Sequence, residues 1–181
     1  QNVLSIGGES FALILFDENG EYREHSINSP CAAGTGSFIA QAAERLDLTV
    51  SSLAARADAC SGPTPSIATR CAVFAKTDMI HAMQEGYSLD SLCAGLCEGI
   101  ARNVLDVLVK GRTLLTPVGL VGGVSLNRRI VRSIENLLGL PVVVPELSPL
   151  AGAVGAALLA TGREIPEKLA SGRVDRRIGR R

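Results

Sequence analysis

The chain is poor in aromatic residues, which make up 3% of its 181 residues, and it contains no tryptophan. So few rings leave little material for stacking nucleic-acid bases or for an aromatic sugar platform. The chain also lacks net charge, because 18 basic residues balance 18 acidic ones, so no global field favours nucleic acid or an acidic membrane surface. We therefore expect neither nucleic acid nor a membrane as a partner.

The sequence also lacks targeting and membrane signals. No signal peptide is present, and the longest apolar runs are too short and too often broken by glycine to span a bilayer. These features favour a cytoplasmic protein, whose five cysteines we expect to be reduced, metal-bound or buried rather than paired in disulfides. The first residue is Gln1 rather than methionine, which indicates a piece of a longer protein.

Hydrophobic residues make up 46% of the chain, enough for a core in one large domain or two small ones. Apolar periodicity predicts, in order, strands at 2–6, 11–16 and 22–27, helices at about 35–46, 50–57, 72–86 and 89–111, a strand at 117–121, a helix at 127–138, a strand at 142–144 and a last helix from 148. The stretch 66–71 is too short to assign. This order predicts an α/β fold, βββαβαβα, with helices on the faces of a mixed sheet.

One stretch places a thiol, a glycine turn and a helix start within a few residues. Cys31 is followed by Gly34 and Gly36, which flank Thr35 and are expected to leave backbone N–H groups free to face an anion. Cys71 also precedes a predicted helix. The positive end of a helix favours thiolate, the form that ligates metal ions, although a small buried residue ahead of a helix is the alternative.

Glycine turns recur at the ends of predicted strands or the starts of predicted helices. The three turns are Gly7-Gly8, Gly34-Thr35-Gly36 and Gly122-Gly123. Ligands of α/β sheets bind at the carboxyl ends of strands, where glycine lets the backbone close on a phosphate or an adenosine. No Walker loop and no GxGxxG at the first helix is present. Together the turns favour nucleotide binding over ordinary turns.

Five motifs, read together, resemble one family. They are Ile6-Gly-Gly8, Cys31-Ala-Ala-Gly-Thr-Gly36, Cys71-Ala-Val-Phe-Ala75, Val121-Gly-Gly-Val124 with Asn127, and Ser148-Pro-Leu150 with Gly155-Ala-Ala157. Over residues 2–161 the chain resembles the ATPase activators of 2-hydroxyacyl-CoA dehydratases and the ATPase subunits of benzoyl-CoA reductase. The resemblance implies the actin, Hsp70 and sugar-kinase fold. Residues 1–162 would form its second ribonuclease-H-like lobe. Residues 163–181 hold seven basic against three acidic residues, which favours a basic, loosely ordered tail over a basic docking arm.

The resemblance also implies a site and partners. In this resemblance, Gly7 and Gly8 match the second phosphate loop, and Gly122, Gly123 and Asn127 match the adenosine loop. Gly34, Thr35 and Gly36 match a turn near the nucleotide. Cys31 and Cys71 match the ligands of a 4Fe–4S cluster that two subunits share. The implied cofactors are that cluster and ATP or ADP with Mg²⁺. The implied partners are a second subunit and an acyl-CoA dehydratase or a reductase of the benzoyl-CoA type, which receives a low-potential electron. Hydrolysis is expected of the complete protein and not of this lobe alone, and no catalytic residue is assigned.

The chain departs from the family pattern beside its first glycine pair. Ser5 stands where the family usually has Asp, and Glu9 and Ser10 stand where it has Gln and Asp. A serine cannot supply the carboxylate that would help to hold Mg²⁺. The first phosphate loop is absent together with the first lobe. A second interpretation therefore stays open: a non-redox or inactive nucleotide-binding lobe of a kinase-like or chaperone-like ATPase or of a larger multidomain protein, with cysteines that only pack.

The remaining cysteines and the histidines do not match family ligands. Cys93 and Cys97 share one face of a predicted helix, where apolar neighbours favour core packing over a metal pair. Cys60 lies in a glycine- and proline-containing loop and is expected to be a free thiol. His25 and His81 are expected to be solvated or packed, because no catalytic triad or zinc cluster can be assembled from them.

Overall fold

The computed structural model describes residues 2–28, 35–69 and 71–162, apart from the side chain of Ala72. Within these ranges the strands are β1 (Asn2–Ile6), β2 (Phe11–Phe16), β3 (Tyr22–Ile27), β4 (Val118–Val121) and β5 (Val142–Val143). The helices are α1 (Gly36–Arg45), α2 (Val50–Ala59), α3 (Ala72–Gln84), α4 (Leu89–Leu108), α5 (Arg128–Leu138) and α6 (Ala151–Thr161), and 3-10 turns lie at Gly123–Leu126 and Ser148–Leu150. The expected tail, residues 163–181, lies outside the described residues.

The strands form one mixed sheet in the order β3-β2-β1-β4-β5. The first three strands pair antiparallel as a meander, whereas β4 pairs parallel with both β1 and β5. Alternate residues of β1 face the core, and Leu4 and Ile6 are fully buried. The sheet confirms the predicted α/β class and the predicted element order.

Helix α4 forms the centre of the core. It runs for 20 residues, and Leu92, Leu96, Ile100, Val104 and Leu108 are all fully buried along it. Helices α2 and α5 pack on its surface, and it also contacts β2. Because apolar residues spaced three and four apart share a helix face, this stripe is a sound basis for predicting the helix.

The predicted helix limits are confirmed to within a few residues, and capping explains most of them. Ser88 and Thr49 accept hydrogen bonds from the backbone N–H groups three residues on, which starts α4 and α2. Gly139 adopts a left-handed conformation at the end of α5. The last helix differs from the prediction, since Ser148 opens a 3-10 turn and α6 begins only at Ala151.

Helix α6 differs from the other helices in its surroundings. None of its residues is buried, although its sequence is almost wholly apolar and small, and Leu159 is 88% exposed. Among the helices of the described ranges, none has the length and apolarity needed to cross a bilayer.

The chain between α2 and α3 runs along α4 in extended form; we call residues 60–69 the α2–α3 connection. Its alternate residues Pro65, Ile67 and Thr69 are buried. They lie against the two glycines of α4: a Cβ added at Gly95 would stand 2.4 Å from the Pro65 carbonyl oxygen, and one at Gly99 would stand 2.5 Å from that of Ile67. These glycines are therefore required for packing, even though glycine is a poor helix former.

Two core thiols extend this packing. Cys93 and Cys97 are fully buried, as predicted, and no disulfide joins them. Burial raises the pKa of Cys93 to about 11 and that of Cys97 to about 12, because the apolar surroundings disfavour the thiolate. Cys60 and Cys71 are free and half-buried.

The glycine packing predicts a stability difference between two alanine substitutions. Gly95→Ala should lower the free energy of unfolding by about 1–3 kcal/mol, because the connection must move away from α4. Gly155→Ala is the matched control, since a Cβ at Gly155 in α6 meets nothing within 4 Å. It should leave stability unchanged or raise it by up to about 1 kcal/mol. Thermal unfolding measures both, and a Gly95→Ala variant as stable as the wild type would contradict the packing.

The buried thiols predict selective chemical modification. In the native protein at pH 8, iodoacetamide should label Cys60 and Cys71 but not Cys93 or Cys97, and in denaturant it should label all five cysteines of the chain, these four and Cys31. The folded-state pKa values of the core pair exceed the ordinary value of 9.0, so their contribution to stability is present below about pH 9 and declines as the pH rises further. Peptide mass spectrometry reads the labels. Native labelling of Cys97 at pH 8 would contradict the packing.

Candidate functional site

The carboxyl ends of two central strands define one edge of the sheet. Strands β1 and β4 are parallel neighbours, so the turns that follow them, Gly7-Gly8 and Gly122-Gly123, emerge side by side. In open α/β sheets this edge is where ligands bind. Two of the three predicted glycine turns therefore meet at a position suited to a ligand.

The start of α1 docks directly on the turn after β1. The backbone N–H of Gly36 donates to the Gly7 carbonyl at 2.8 Å, and that of Ser37 donates to the Gly8 carbonyl at 2.8 Å. A Cβ at Gly36 would lie 3.2 Å from the Gly8 Cα. The expectation of a free N–H at Gly36 is wrong, because the turn already accepts it. Glycine is needed there for the close backbone approach.

Two other members of this predicted turn have different outcomes. Thr35 is fully buried at the N-cap position of α1, and its side chain makes no cap hydrogen bond. Gly34 lies outside the described residues, as does Cys31. A nucleotide-binding role for Thr35 or Gly34 stays a prediction.

The turn after β4 requires glycine at its first position. Gly122 has φ = 94°, and a Cβ there would stand 2.3 Å from the Ile6 carbonyl oxygen at the end of β1. Its N–H donates to the Ser148 carbonyl at 2.8 Å, and its own carbonyl accepts from the Ser125 hydroxyl at 2.6 Å. These bonds fix the backbone of the predicted adenosine loop before any ligand binds.

Asn127 ends this loop and begins α5. Its side-chain oxygen accepts from the Ile130 N–H at 3.2 Å, and its amide nitrogen donates to the Cys97 sulfur at 3.4 Å. The residue is only 6% exposed. Asn127 thus has a structural role as a helix cap, which its position before an amphipathic helix could have indicated. Its role toward a nucleotide stays a prediction.

A cavity of about 650 Å³ opens between these turns and the first two helices. It is lined by Gly7, Gly8, Gly36, Ile39, Val50, Ser51, Ala54, Gly123, Val124, Leu126 and Asn127. Ligand sites commonly occupy about 300–1,000 Å³ and combine apolar walls with few polar groups. Glycine backbone forms one part of this wall and aliphatic side chains form another, an arrangement that can accept a phosphate chain and a flat ring.

The cavity brings together five of the predicted nucleotide residues, namely Gly7, Gly8, Gly36, Gly123 and Asn127. Gly122 does not line the cavity, but its close approach to Ile6 fixes the turn that contains the lining residue Gly123. Sequence reasoning missed the part of the wall supplied by the aliphatic Val50 and Leu126 and by the polar Ser51. The apolar Val50 and Leu126 are 47% and 66% exposed, which the sequence alone did not reveal.

The positions that depart from the family pattern flank the cavity-lining Gly7 and Gly8 in sequence and do not themselves line the cavity. Ser5 is a half-buried residue of β1, paired with Ala12 and Val121 across the sheet. Glu9 is exposed, and its carboxylate accepts a hydrogen bond from the Ser37 hydroxyl at the start of α1. A carboxylate therefore stands one residue beyond Gly8.

The predicted metal ligand Cys71 lies apart from the cavity. It is the N-cap of α3, its carbonyl accepts from the Ala75 N–H at 3.0 Å, and its thiol makes no cap hydrogen bond. Across the described ranges, no three His, Cys, Asp or Glu side chains gather as a metal site. His25 contacts the Tyr22 hydroxyl at 2.7 Å, and His81 is exposed on α3.

The chain is similar to proteins that act on CoA-dependent enzymes or form part of them. It is 33% identical over 160 residues to the 2-hydroxyisocaproyl-CoA dehydratase activator of Clostridioides difficile, covering 88% of this chain and 59% of that protein. It is 29% identical over 177 residues to one of the subunits of benzoyl-CoA reductase from Thauera aromatica, covering 93% and 60%. The chain thus spans about three fifths of the length of these curated relatives.

Solved structures give the fold. The activator of the 2-hydroxyisocaproyl-CoA dehydratase from Clostridium difficile with bound ADPNP matches with a TM-score of 0.82 and 30% identity, covering 92% of this chain and 65% of that one. A xylulose kinase from Brucella ovis matches with a TM-score of 0.57 and 19% identity over 90% and 40%, a likeness of fold alone. These neighbours confirm the actin-like ATPase and sugar-kinase fold.

The family assignment agrees with the motifs, the sheet and the glycine-lined cavity. The BadF/BadG/BcrA/BcrD ATPase family matches residues 1–160, nearly the whole of the described structure. The chain therefore belongs to the BadF/BadG/BcrA/BcrD ATPase family.

Proposed function

We propose that this chain is the nucleotide-binding second lobe, residues 1–162, of an ATP-dependent reductive activator. In the complete protein, two copies would share a 4Fe–4S cluster, and the activator would give a low-potential electron to an acyl-CoA dehydratase or to a reductase of the benzoyl-CoA type. The observation that carries the proposal is the cavity at the carboxyl edge of β1 and β4, where the glycine turns of an ATPase family converge.

Support for ATP as the ligand comes from the wall of the cavity. Gly8 and Gly123 present backbone without side chains, so a phosphate chain can approach them closely. Ile39, Val50 and Leu126 offer apolar surface for a base. A related activator with 30% identity carries ADPNP, an ATP analogue, in its solved structure.

The surroundings of Cys71 fit a cluster ligand. The thiol stands at the N-terminus of the 13-residue helix α3, is half-buried, and is free of a cap hydrogen bond. A helix N-terminus stabilises an anionic thiolate. We propose that Cys71 and Cys31 supply the two thiolates of one copy. When bound, a 4Fe–4S cluster supplies a one-electron carrier whose potential depends on its charge surroundings and exposure.

The proposed partners follow from the relatives. One is an activator of a CoA dehydratase and another is part of benzoyl-CoA reductase. We propose a second copy of the complete protein and one such acyl-CoA enzyme as partners, in the cytoplasm.

One observation keeps a second candidate function in view. Ser5 replaces the usual aspartate near the strand end and supplies no carboxylate, which favours a lobe that binds nucleotide but hydrolyses it slowly or not at all. The carboxylate nearest to Ser5 in sequence is that of Glu9, which lies on the turn after β1. Steady hydrolysis of MgATP by the complete protein would exclude an inactive lobe.

The first prediction of the proposal concerns the cavity. Gly8→Val and Gly123→Val add side chains at two glycines that line the cavity, and a Cβ at either position meets nothing within 4 Å. Each should weaken binding of an ATP analogue by about tenfold or more, equivalent to about 1.4 kcal/mol, with the melting temperature unchanged. Calorimetry on the complete protein measures the affinity.

Gly62→Val is the matched control for these two variants. Gly62 is exposed in a loop away from the cavity, and a Cβ there comes no nearer than 3.9 Å to another atom. Binding should stay at the wild-type affinity. Wild-type affinity in Gly8→Val and Gly123→Val as well would place the nucleotide elsewhere.

The second prediction concerns the cluster. Cys71→Ser and Cys31→Ser should each lose most of the iron and sulfide that the complete protein takes up anaerobically, because thiolates hold such clusters. Cys60→Ser, at another half-buried free cysteine, should retain the wild-type content. Iron and sulfide assays with electron paramagnetic resonance provide the measurement. Equal iron in all three variants would refute the ligand assignment.

A further inference from the structure

We propose that Thr69 and Asp78 are positioning residues for the Cys71 thiol, and that they hold the thiol in place before any metal binds. This inference rests on the proposed role of Cys71 as a cluster ligand. The structure places two anchored residues, Ala68 and Thr69, shortly ahead of Cys71, one tied to α3 and the other tied to α4.

The first anchor joins the α2–α3 connection to α4. The Thr69 hydroxyl donates to the Gly99 carbonyl at 2.6 Å, and Thr69 is only 3% exposed. The Thr69 methyl group also packs at the helix, because a Cβ at Gly99 would lie 2.8 Å from it. A buried, short hydrogen bond backed by close packing leaves Thr69 little freedom to move.

The second anchor joins the same connection to the helix that Cys71 caps. The Ala68 N–H donates to the Asp78 carboxylate at 2.8 Å. Asp78 lies about two turns inside α3, so this bond ties the connection to the body of the helix. Ala68 and Thr69 are consecutive and are bound to different helices, so the end of the α2–α3 connection is tied to both α3 and α4.

The far end of the connection is also held. The Thr64 hydroxyl donates to the Glu98 carboxylate at 2.8 Å, and Glu98 forms an ion pair with Arg129 of α5. Arg129 also donates to the Cys60 carbonyl at 3.0 Å. The connection is therefore tied to α4 and α5 at one end and to α4 and α3 at the other.

This anchoring matters because the Cys71 side chain does not fix itself. Its thiol makes no cap hydrogen bond, and Val73 and Phe74 in the first turn of α3 are 70% and 65% exposed. Metal ligands must be held within a few tenths of an ångström of their bonding distance, and neighbouring residues usually supply that order. Thr69 and Asp78 are the residues placed to supply it here.

The test measures the exposure of the Cys71 thiol in the complete protein without metal. Asp78→Ala and Thr69→Val each remove one anchor, and iodoacetamide labelling of Cys71 should accelerate about tenfold, the factor expected for losing one strong hydrogen bond. Asp78→Asn and Thr69→Ser keep an acceptor and a donor, so their rates should return to within about twofold of the wild type. Cys60, labelled in the same molecules, serves as the internal reference.

Thr77→Val is the matched control. Thr77 also lies on α3, and its hydroxyl donates to the Val73 carbonyl of its own helix, at 3.3 Å. Loss of this hydrogen bond should leave the rate of iodoacetamide labelling at Cys71 unchanged. A rate that rises equally in the control, or that stays at the wild-type value in both Asp78→Ala and Thr69→Val, would overturn the inference.

A wild-type measurement guards against variants that unfold. The Ala68 amide proton should exchange with solvent at least about tenfold more slowly than an unprotected amide, because Asp78 accepts it. Free exchange of that proton would overturn the inference without any substitution.

Cluster retention separates this inference from the proposed function. Release of iron to a chelator should be about tenfold faster from Asp78→Ala and Thr69→Val than from the wild type and from the two conservative variants, if each lost anchor loosens one thiolate. Unchanged release with accelerated Cys71 labelling would refute positioning for the cluster. A wild-type protein that takes up no iron would refute the proposed function, and the labelling rates would then decide the positioning alone.

Discussion

Backbone packed against backbone at the end of β1 is the constraint on which the rest of the site depends. The Ile6 carbonyl leaves no room for a Cβ at Gly122, and the carbonyls of Gly7 and Gly8 accept the first N–H groups of α1. Because no side chain separates these segments, the turn after β1, the turn after β4 and the start of α1 come into direct backbone contact. The cavity is the space that they leave on the side facing α2.

Much of this architecture follows from local sequence. Strand and helix limits follow from periodicity and caps, and the core positions of Cys93 and Cys97 follow from their apolar neighbours on one helix face. The part of the cavity wall that α2 supplies does not follow from local sequence. Val50 and Ser51 line the cavity only because α2 packs on α4, a long-range arrangement that no local pattern specifies. The sequence likewise could not reveal that Gly36 donates its N–H to Gly7.

Glycines in this protein have two distinct structural uses. At Gly36 and Gly122 the missing side chain lets elements converge around a ligand cavity, whereas at Gly95 and Gly99 it lets an extended segment lie flat on the central helix. The sequence motifs drew attention to the first pair alone. The second pair was hidden inside a helix, where glycine usually only weakens the structure, and it directs the chain that leads to Cys71.

The surface of α6 has a consequence for how this chain can be handled. The helix is almost wholly apolar yet buries none of its residues: Leu159 is 88% exposed, and Leu150, in the 3-10 turn just before the helix, is 57% exposed. Apolar surface of this kind favours self-association when nothing else covers it. Preparations of residues 1–162 by themselves should therefore become turbid with rising concentration, and a helix rewritten with glutamate and lysine on its outward side is the form best suited to crystallisation or spectroscopy in solution.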